Sequence, residues 1–402
     1  MANQILTISM ITREALRVLV NNLSFTKGVN RQYDDQFAVK GAKIGSTLNI
    51  RKPARYVGRL GPTINIESQT ETYVPVTLST QRGVDVQFTS ADLHLSMDDF
   101  SDRYLKPAMA NVANFIDFDG LALTNQVFNM TGLAGTPPAS LLTFLNANKL
   151  LADNATPQDD MRSAILGPAA EASIVNALTT FFNPTKAISE QYEQGRMGRA
   201  IGLKWSMDQN INIHTNGIYA GSTPLVNGAG QTGSNLITNG WAATTAVLNV
   251  GDVFQVAGVF AVNPQSRQST GALQWFVVTA PVVSDGAGNA TIPISPAIIT
   301  SGQFQNVTVS PGSGAALTLF GTTGQTYQNN LVHHRDAFVL CSADLPLPRG
   351  VDMAARVADP ESGLSVRMVR AYDVVNDLFV TRLDVLYGWA PLYPQLACRV
   401  AG

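Results

Sequence analysis

Gly228, Gly230 and Gly233 have the spacing of the phosphate-cradling GxGxxG turn, and Asp252 follows about twenty residues on, where a ribose-binding carboxylate would stand. That chemistry needs a strand entering the turn and a helix leaving it. Only Leu225 and Val226 precede the glycines, and Asn239-Gly240 stops any helix after them, so dinucleotide binding is not expected. His333 and His334 are adjacent, which points their imidazoles apart on a strand. Asp336 is the only other candidate ligand at metal spacing, so a surface or interface role is expected and no metal. His94 and His214 are isolated and read as ordinary hydrogen-bonded histidines. No P-loop, GxSxG or HExxH is present. Trp241 and Trp275 could stack on sugar rings, yet core positions suit them better. No catalytic, cofactor-binding or metal-ligating residue is therefore singled out, no cofactor is expected, and the chain does not read as an enzyme.

The remaining chemistry is charge. Arg51, Lys52, Arg55 and Arg59 cluster near the tip of an extended stretch, residues 44–88. Within it STLNIRK and TYVPVTLST alternate, with Pro53, Gly58, Gly61 and Pro62 as punctuation. A two-stranded ribbon with so few large apolar residues is barely stable alone, so it must lie along its own domain or across another subunit. Its basic residues could be solvated, or could meet a neighbour's acidic groups such as Asp98, Asp99 and Asp102. A nucleic-acid patch is disfavoured, since Tyr56 is the only aromatic neighbour and the net charge of the chain is −2.

The elements that must position these residues follow from periodicity. Residues 96–130 carry one apolar stripe: Leu105, Met109, Val112, Ile116, Leu123, Val127 and Met130. Ser96 and Asp99 form a capping-box-like start, and Pro107 predicts a short helix, a kink, and a helix of roughly 36 Å running on to Met130. Residues 5–20 read as an amphipathic helix with Ile8, Ile11, Ala15, Val18 and Leu19 on its apolar side, packed either on its own subunit or on a neighbour. Thr136, Pro137 and Pro138 mark a linker; a short helix at 141–151, a buried strand at 163–166 and a helix opened by Pro168 suggest a mixed α/β region.

Composition then divides the chain. From 221 to 330 only Asp252, Arg267 and Asp285 are charged, and no lysine follows Lys204. Short β-runs at 253–256, 273–278, 291–294, 307–309 and 317–320 between Gly- and Asn-rich turns predict a small barrel or sandwich inserted into a host. After it, Arg367, Arg370 and Arg382 interleave with Asp373, Asp377 and Asp384, a cross-strand or solvated pattern. The 402 residues suffice for two or three domains; Cys341 and Cys398 make no disulfide framework and suit a reducing compartment; the N-terminal run, interrupted by Arg13, Glu14 and Arg17, reads as neither signal peptide nor membrane span.

Three stretches carry a resemblance: QFTSADLHLSMDDFSDRYLKPAMANVANFIDFD; AILGPAAEASIV with GRMGRAIGLKWSMDQNINIHTNG; and the C-terminal NLVHHRDAFVLCSADLPLPRG, GLSVRMVRAYDVVNDLFVTRLDVLYGW and YPQLACRV. In order and spacing the chain resembles the tailed-phage major capsid (coat) proteins, in particular the short-tailed-phage coat family with an inserted domain. The resemblance implies an α+β fold with an N-terminal arm helix (1–25), an extended β-hairpin loop and the start of a peripheral domain (26–88), the peripheral domain with its spine helix (89–135), the first part of an axial domain (136–220), an inserted β-barrel (221–330) and a return through axial and peripheral domains (331–402). It implies copies of itself in pentamers and hexamers, a scaffolding protein, a portal protein and packaged double-stranded DNA held without sequence specificity as partners, and no membrane. Its place would be the virion, after assembly in the host cytoplasm. The other reading carried forward is a carbohydrate-binding or adhesive β-rich phage surface protein.

Overall fold

A computed structural model describes residues 8–31, 45–59, 61–64, 66–68, 70–89, 106–178, 198–358, 364–376 and 378–402. The chain forms two compact units. The first comprises Met1–Arg51, Tyr73–Gly120 and Phe338–Ala390, and the second Lys52–Thr72, Leu121–Ala337 and Pro391–Gly402.

The first unit is built on the long strand Leu378–Pro391. Ser365–Asp373 pairs antiparallel along one side of it, and Thr80–Thr89 along the other, with Val366 opposite Val385 and Tyr387 opposite Thr80. Phe338–Ala343 also belongs to this sheet, and Met353–Ala358 is bonded to Ser365–Asp373. The helix Ile8–Asn22 packs on these last two strands of its own chain. Thr12, Ala15, Leu16 and Leu19 are buried at helical spacing, while Arg17 faces outward and pairs with Glu14 at 2.6 Å.

The helix Lys106–Leu121 begins close to the expected Pro107 but stops well before Met130. Its 16 residues span about 24 Å. A 3₁₀ segment, Ala122–Gln126, follows, and Met130–Gly132 is a strand. The apolar stripe misled because Val127, Phe128, Asn129 and Met130 are buried in succession, a pattern of extended chain enclosed on both sides. Gly120, Thr124 and Asn125 weaken helix propagation there. At Gly120 a Cβ would stand 2.7 Å from Trp389 Cζ2 and 2.9 Å from Phe25 Cε1. Two carboxylates of the helix, the buried Asp117 and the partly exposed Asp119, hold its surroundings. Asp117 accepts from Ser24 N at 2.6 Å, Phe25 N at 3.3 Å, Thr26 N at 3.0 Å and Thr26 Oγ1 at 2.5 Å. Asp119 accepts from Arg82 and from the Tyr387 hydroxyl at 2.6 Å. The capping-box residues Ser96 and Asp99 lie outside the described residues.

The second unit has a mixed sheet ordered Met130–Gly132, Ala397–Ala401, Thr326–His334, Arg162–Leu166, Leu203–Met207 and Arg199–Ala200. Leu203–Met207 runs parallel to Arg162–Leu166, the strand expected from sequence, and Pro168 opens the helix Pro168–Leu178 as anticipated. The helix Leu141–Asp153 is capped by Ser140 Oγ accepting from Leu142 N at 3.2 Å. Phe144, Leu151, Ile174, Trp205 and Val332 fill this core. Arg399 is fully buried in the sheet and donates to Val127 O at 2.6 Å, Gly251 O at 2.8 Å and Asn125 O at 3.5 Å. Burial pushes its guanidinium down to about 10.

The sparsely charged stretch forms a second sheet, ordered Leu317–Leu319, Val253–Val262, Ser269–Val278, Ala290–Ile298, Gly233–Asn239 and Leu225–Val226, every pairing antiparallel. Leu225 also bridges Ala316, so the last strand returns beside the first. Phe254, Phe276, Leu236, Ile292 and Trp241 lie in its apolar core. Two expectations are corrected. Residues 307–309 form no strand, only the bridge of Val307 to Ala261; Gly233–Asn239 is a strand that the sequence reading passed over.

Candidate inter-subunit interface

The extended stretch begins as a true ribbon. Thr47–Arg51 pairs antiparallel with Tyr73–Thr77, from Thr47 opposite Thr77 to Arg51 opposite Tyr73. Alternation gives it one buried side: Ile50 and Val76 are buried while Tyr73 is exposed. Pro75 is tolerated because a two-stranded ribbon leaves outer backbone positions unbonded. Beyond Arg51 and Tyr73 the strands part into an excursion, Lys52–Thr72, whose mouth is closed by Lys52 N donating to Thr72 O at 2.7 Å.

Internal polar contacts shape that excursion without giving it a core. Glu67 accepts from Val57 N at 2.8 Å and Gly58 N at 2.7 Å, one bond to each carboxylate oxygen. Gly58 and Gly61 take φ of +80° and +90°, where a Cβ is disfavoured. Arg59 donates to Gly61 O and, at 3.0 Å, to Thr63 O. Ile64 is 78 % and Ile66 90 % exposed, and Tyr56 and Val57 are each about half exposed.

The structure separates the basic residues that the sequence grouped near a tip. Arg59 alone sits at the turn. Arg51 ends the first strand and is exposed. Lys52 and Arg55 lie at the base, with Lys52 Nζ 5.1 Å from the Tyr393 ring centroid and Arg55 Cζ 6.0 Å from that of Phe304. Burial lowers the pKa of Lys52, helped by the charge of Arg55; burial likewise lowers that of Arg55, helped by the charge of Arg267. Arg267 reaches the same place, donating to Tyr56 O at 3.4 Å, Gln303 O at 2.7 Å and Gln305 O at 3.4 Å. Sequence reasoning missed it. The signal was available, since Arg267 is the only positive charge between residues 221 and 330. Asp98, Asp99 and Asp102, and His94, lie outside the described residues.

The residues weighed for other chemistry serve structure. Gly228–Gly233 is the turn of the hairpin joining Leu225–Val226 to Gly233–Asn239, closed by Gln231 Nε2 donating to Asn227 O, Gly228 O and Ile237 O. Asp252 is buried, 2.7 Å from His214 Nε2, and accepts from Gly217 N and Asn249 N. His333 and His334 are buried on a central strand, which overturns their expected surface role. His334 Nε2 lies 3.1 Å from Asp159 Oδ1, and burial pushes His333 down to about 4. Trp241 is buried with Nε1 donating to Thr238 Oγ1 at 2.8 Å, and Trp275 is half-buried, edge-on to Phe320. Arg367 and Asp384 face each other across strands and pair bidentately at 3.0 and 2.7 Å. Among the described residues no group of His, Cys, Asp or Glu could hold a metal, and no helix is long and apolar enough to cross a membrane.

The family model described as P22 coat protein, gene protein 5, matches residues 1–401. No curated protein sequence matches. Among solved structures, the chain is similar to one from Mycobacterium phage Che8, at 10 % identity over 94 % of this chain and 90 % of that one, with a TM-score of 0.44. The capsid of Ralstonia phage GP4 aligns at 8 % identity over 94 % of this chain and 87 % of that one, TM-score 0.44. The CUS-3 coat protein I-domain aligns at 26 % identity over 25 % of this chain and 97 % of that one, TM-score 0.19.

Proposed function

The chain belongs to the P22 coat protein family, a family of major capsid proteins of phage heads and not of enzymes, and from that premise we propose that it assembles as pentamers and hexamers of an icosahedral shell around double-stranded DNA. The observation that carries the reading is the excursion Lys52–Thr72, which presents Ile64 and Ile66 almost fully to solvent. Such apolar exposure on a segment without a core of its own fits an interface that another molecule covers. We assign the partner as a second copy, with Arg51, Lys52, Arg55 and Arg59 facing its Asp98, Asp99 and Asp102. Each pair is weak, about 0–1 kcal/mol, but repetition over a closed lattice multiplies it.

In the same reading the ribbon is the loop that reaches a neighbour, Lys106–Leu121 is the spine helix, and the uncharged sheet is an inserted barrel, a view supported by the return of Leu225 to Ala316. A near-neutral chain suits a container that must enclose DNA without gripping it, because a strongly basic inner face would hold phosphates through counterion release. Scaffolding and portal proteins would be further partners, and assembly would take place in the host cytoplasm. Electron microscopy and sedimentation of the expressed full chain test the proposal. Closed shells or tubes are expected; compact monomers under every assembly condition would end it.

A further inference from the structure

Lys52, Arg55 and Arg267 gather at the base of the excursion, and among the described residues none of the three forms an ion pair. Arg267 straddles Phe304, donating to the carbonyls of Gln303 and Gln305 on either side, while Arg55 lies over the Phe304 ring. The Arg267 Nε atom is buried and has no acceptor. Its backbone sits at φ +59°, an unusual conformation for a side-chain-bearing residue, set at a turn where Asn263 Oδ1 accepts from Gln265 N and Ser266 N. Half-buried cations that repel one another, one with an idle donor, are arranged to receive a negative group.

We infer that Lys52, Arg55 and Arg267 form an oxyanion site whose occupant is a carboxylate side chain of a second copy of this chain; the inference rests on the self-assembly proposed above. A carboxylate fits better than a nucleic-acid backbone. The niche is a single fork against an aromatic ring, whereas a duplex offers a phosphate track that needs a row of cations. The residues surrounding the fork, Tyr56, Gln303, Phe304 and Gln305, add none. The 29 acidic residues of each copy supply the carboxylates.

The test compares the full chain with its Arg267→Gln and Arg55→Gln variants. Unassembled Arg55→Gln is expected to melt with the parent, because that side chain lies on the loop base and outside every core. The concentration needed for assembly is measured by sedimentation at fixed ionic strength in chloride and in inorganic phosphate. Both substitutions are expected to raise it about tenfold, and phosphate is expected to raise it for the parent only, by competing for the site. Assembly of both variants at the parent concentration overturns the inference, as does an equal phosphate effect on all three proteins. Calorimetry of phosphate on the unassembled chain reads the site even where no shell forms: binding lost in Arg267→Gln supports it, and no binding by the parent removes it. Retention of double-stranded DNA by the unassembled parent, lost in both variants, replaces the sister copy with nucleic acid as occupant. A parent that never assembles counts against the proposed function instead.

Discussion

Arg399 and His333 show what burial demands of single residues. Arg399 donates to three carbonyls and forms no ion pair among the described residues, while the buried Asp252 nearby helps to keep it charged. Arg399→Met leaves Val127 O and Gly251 O buried without this donor and is expected to cost about 2–5 kcal/mol, read by urea unfolding of the unassembled chain. Full stability in that variant would mean that water takes over the three bonds. His333 is pushed by burial from 6.5 to about 4, so the unfolded chain binds its proton first. The stabilisation is complete above pH 6.5 and is lost as pH falls through 6.5 toward 4, amounting to about 3 kcal/mol. Unfolding curves from neutral to mildly acidic pH should show this loss, and His333→Gln should flatten it. An unchanged slope would assign the acid sensitivity to other groups.

At the scale of elements, Asp117 fastens the segment after the first helix by four hydrogen bonds to residues 24–26. Asp117→Ala is expected to cost about 3 kcal/mol and to raise hydrogen exchange across residues 8–31 before the five-stranded sheet opens. Uniform loss of protection would show that helix and sheet unfold together. Legibility in sequence followed the same physics. The helix Ile8–Asn22, the strand Arg162–Leu166 and the Pro168 start were readable because periodicity and proline act locally. The end of Lys106–Leu121 was not, because parallel pairing of Met130 with Arg399 is a bond across the whole chain. The ribbon was readable from alternation. Its basic residues were placed together at a tip because spacing along a sequence does not tell that Glu67 folds the loop back onto Val57 and Gly58. Arg267 was overlooked because a lone charge has no periodicity.

At the scale of the whole molecule, folding and assembly should respond to different substitutions. Ile64→Asp and Ile66→Asp touch side chains that are 78 % and 90 % exposed, so the unassembled chain should stay within about 0.5 kcal/mol of its parent. Shell yield should collapse. Charge reversal at Arg51 should do the same more mildly, while reversal at Arg55 should also disturb its own half-buried setting. Equal loss of monomer stability and shell yield at Ile64 would mean that the excursion packs on its own chain. One further property follows from the pairing of Asn212–Thr215 with Thr326–His334, where Thr215 and Thr326 stand opposite with hydroxyl oxygens 2.8 Å apart. The chain enters and leaves the sparsely charged stretch through these neighbouring antiparallel strands. A tug on it therefore loads those bonds one after another, beginning at the threonines, as in opening a zip. Strands drawn along their length would share the load and resist far more, so mechanical strain on this portion should be released by peeling at that point.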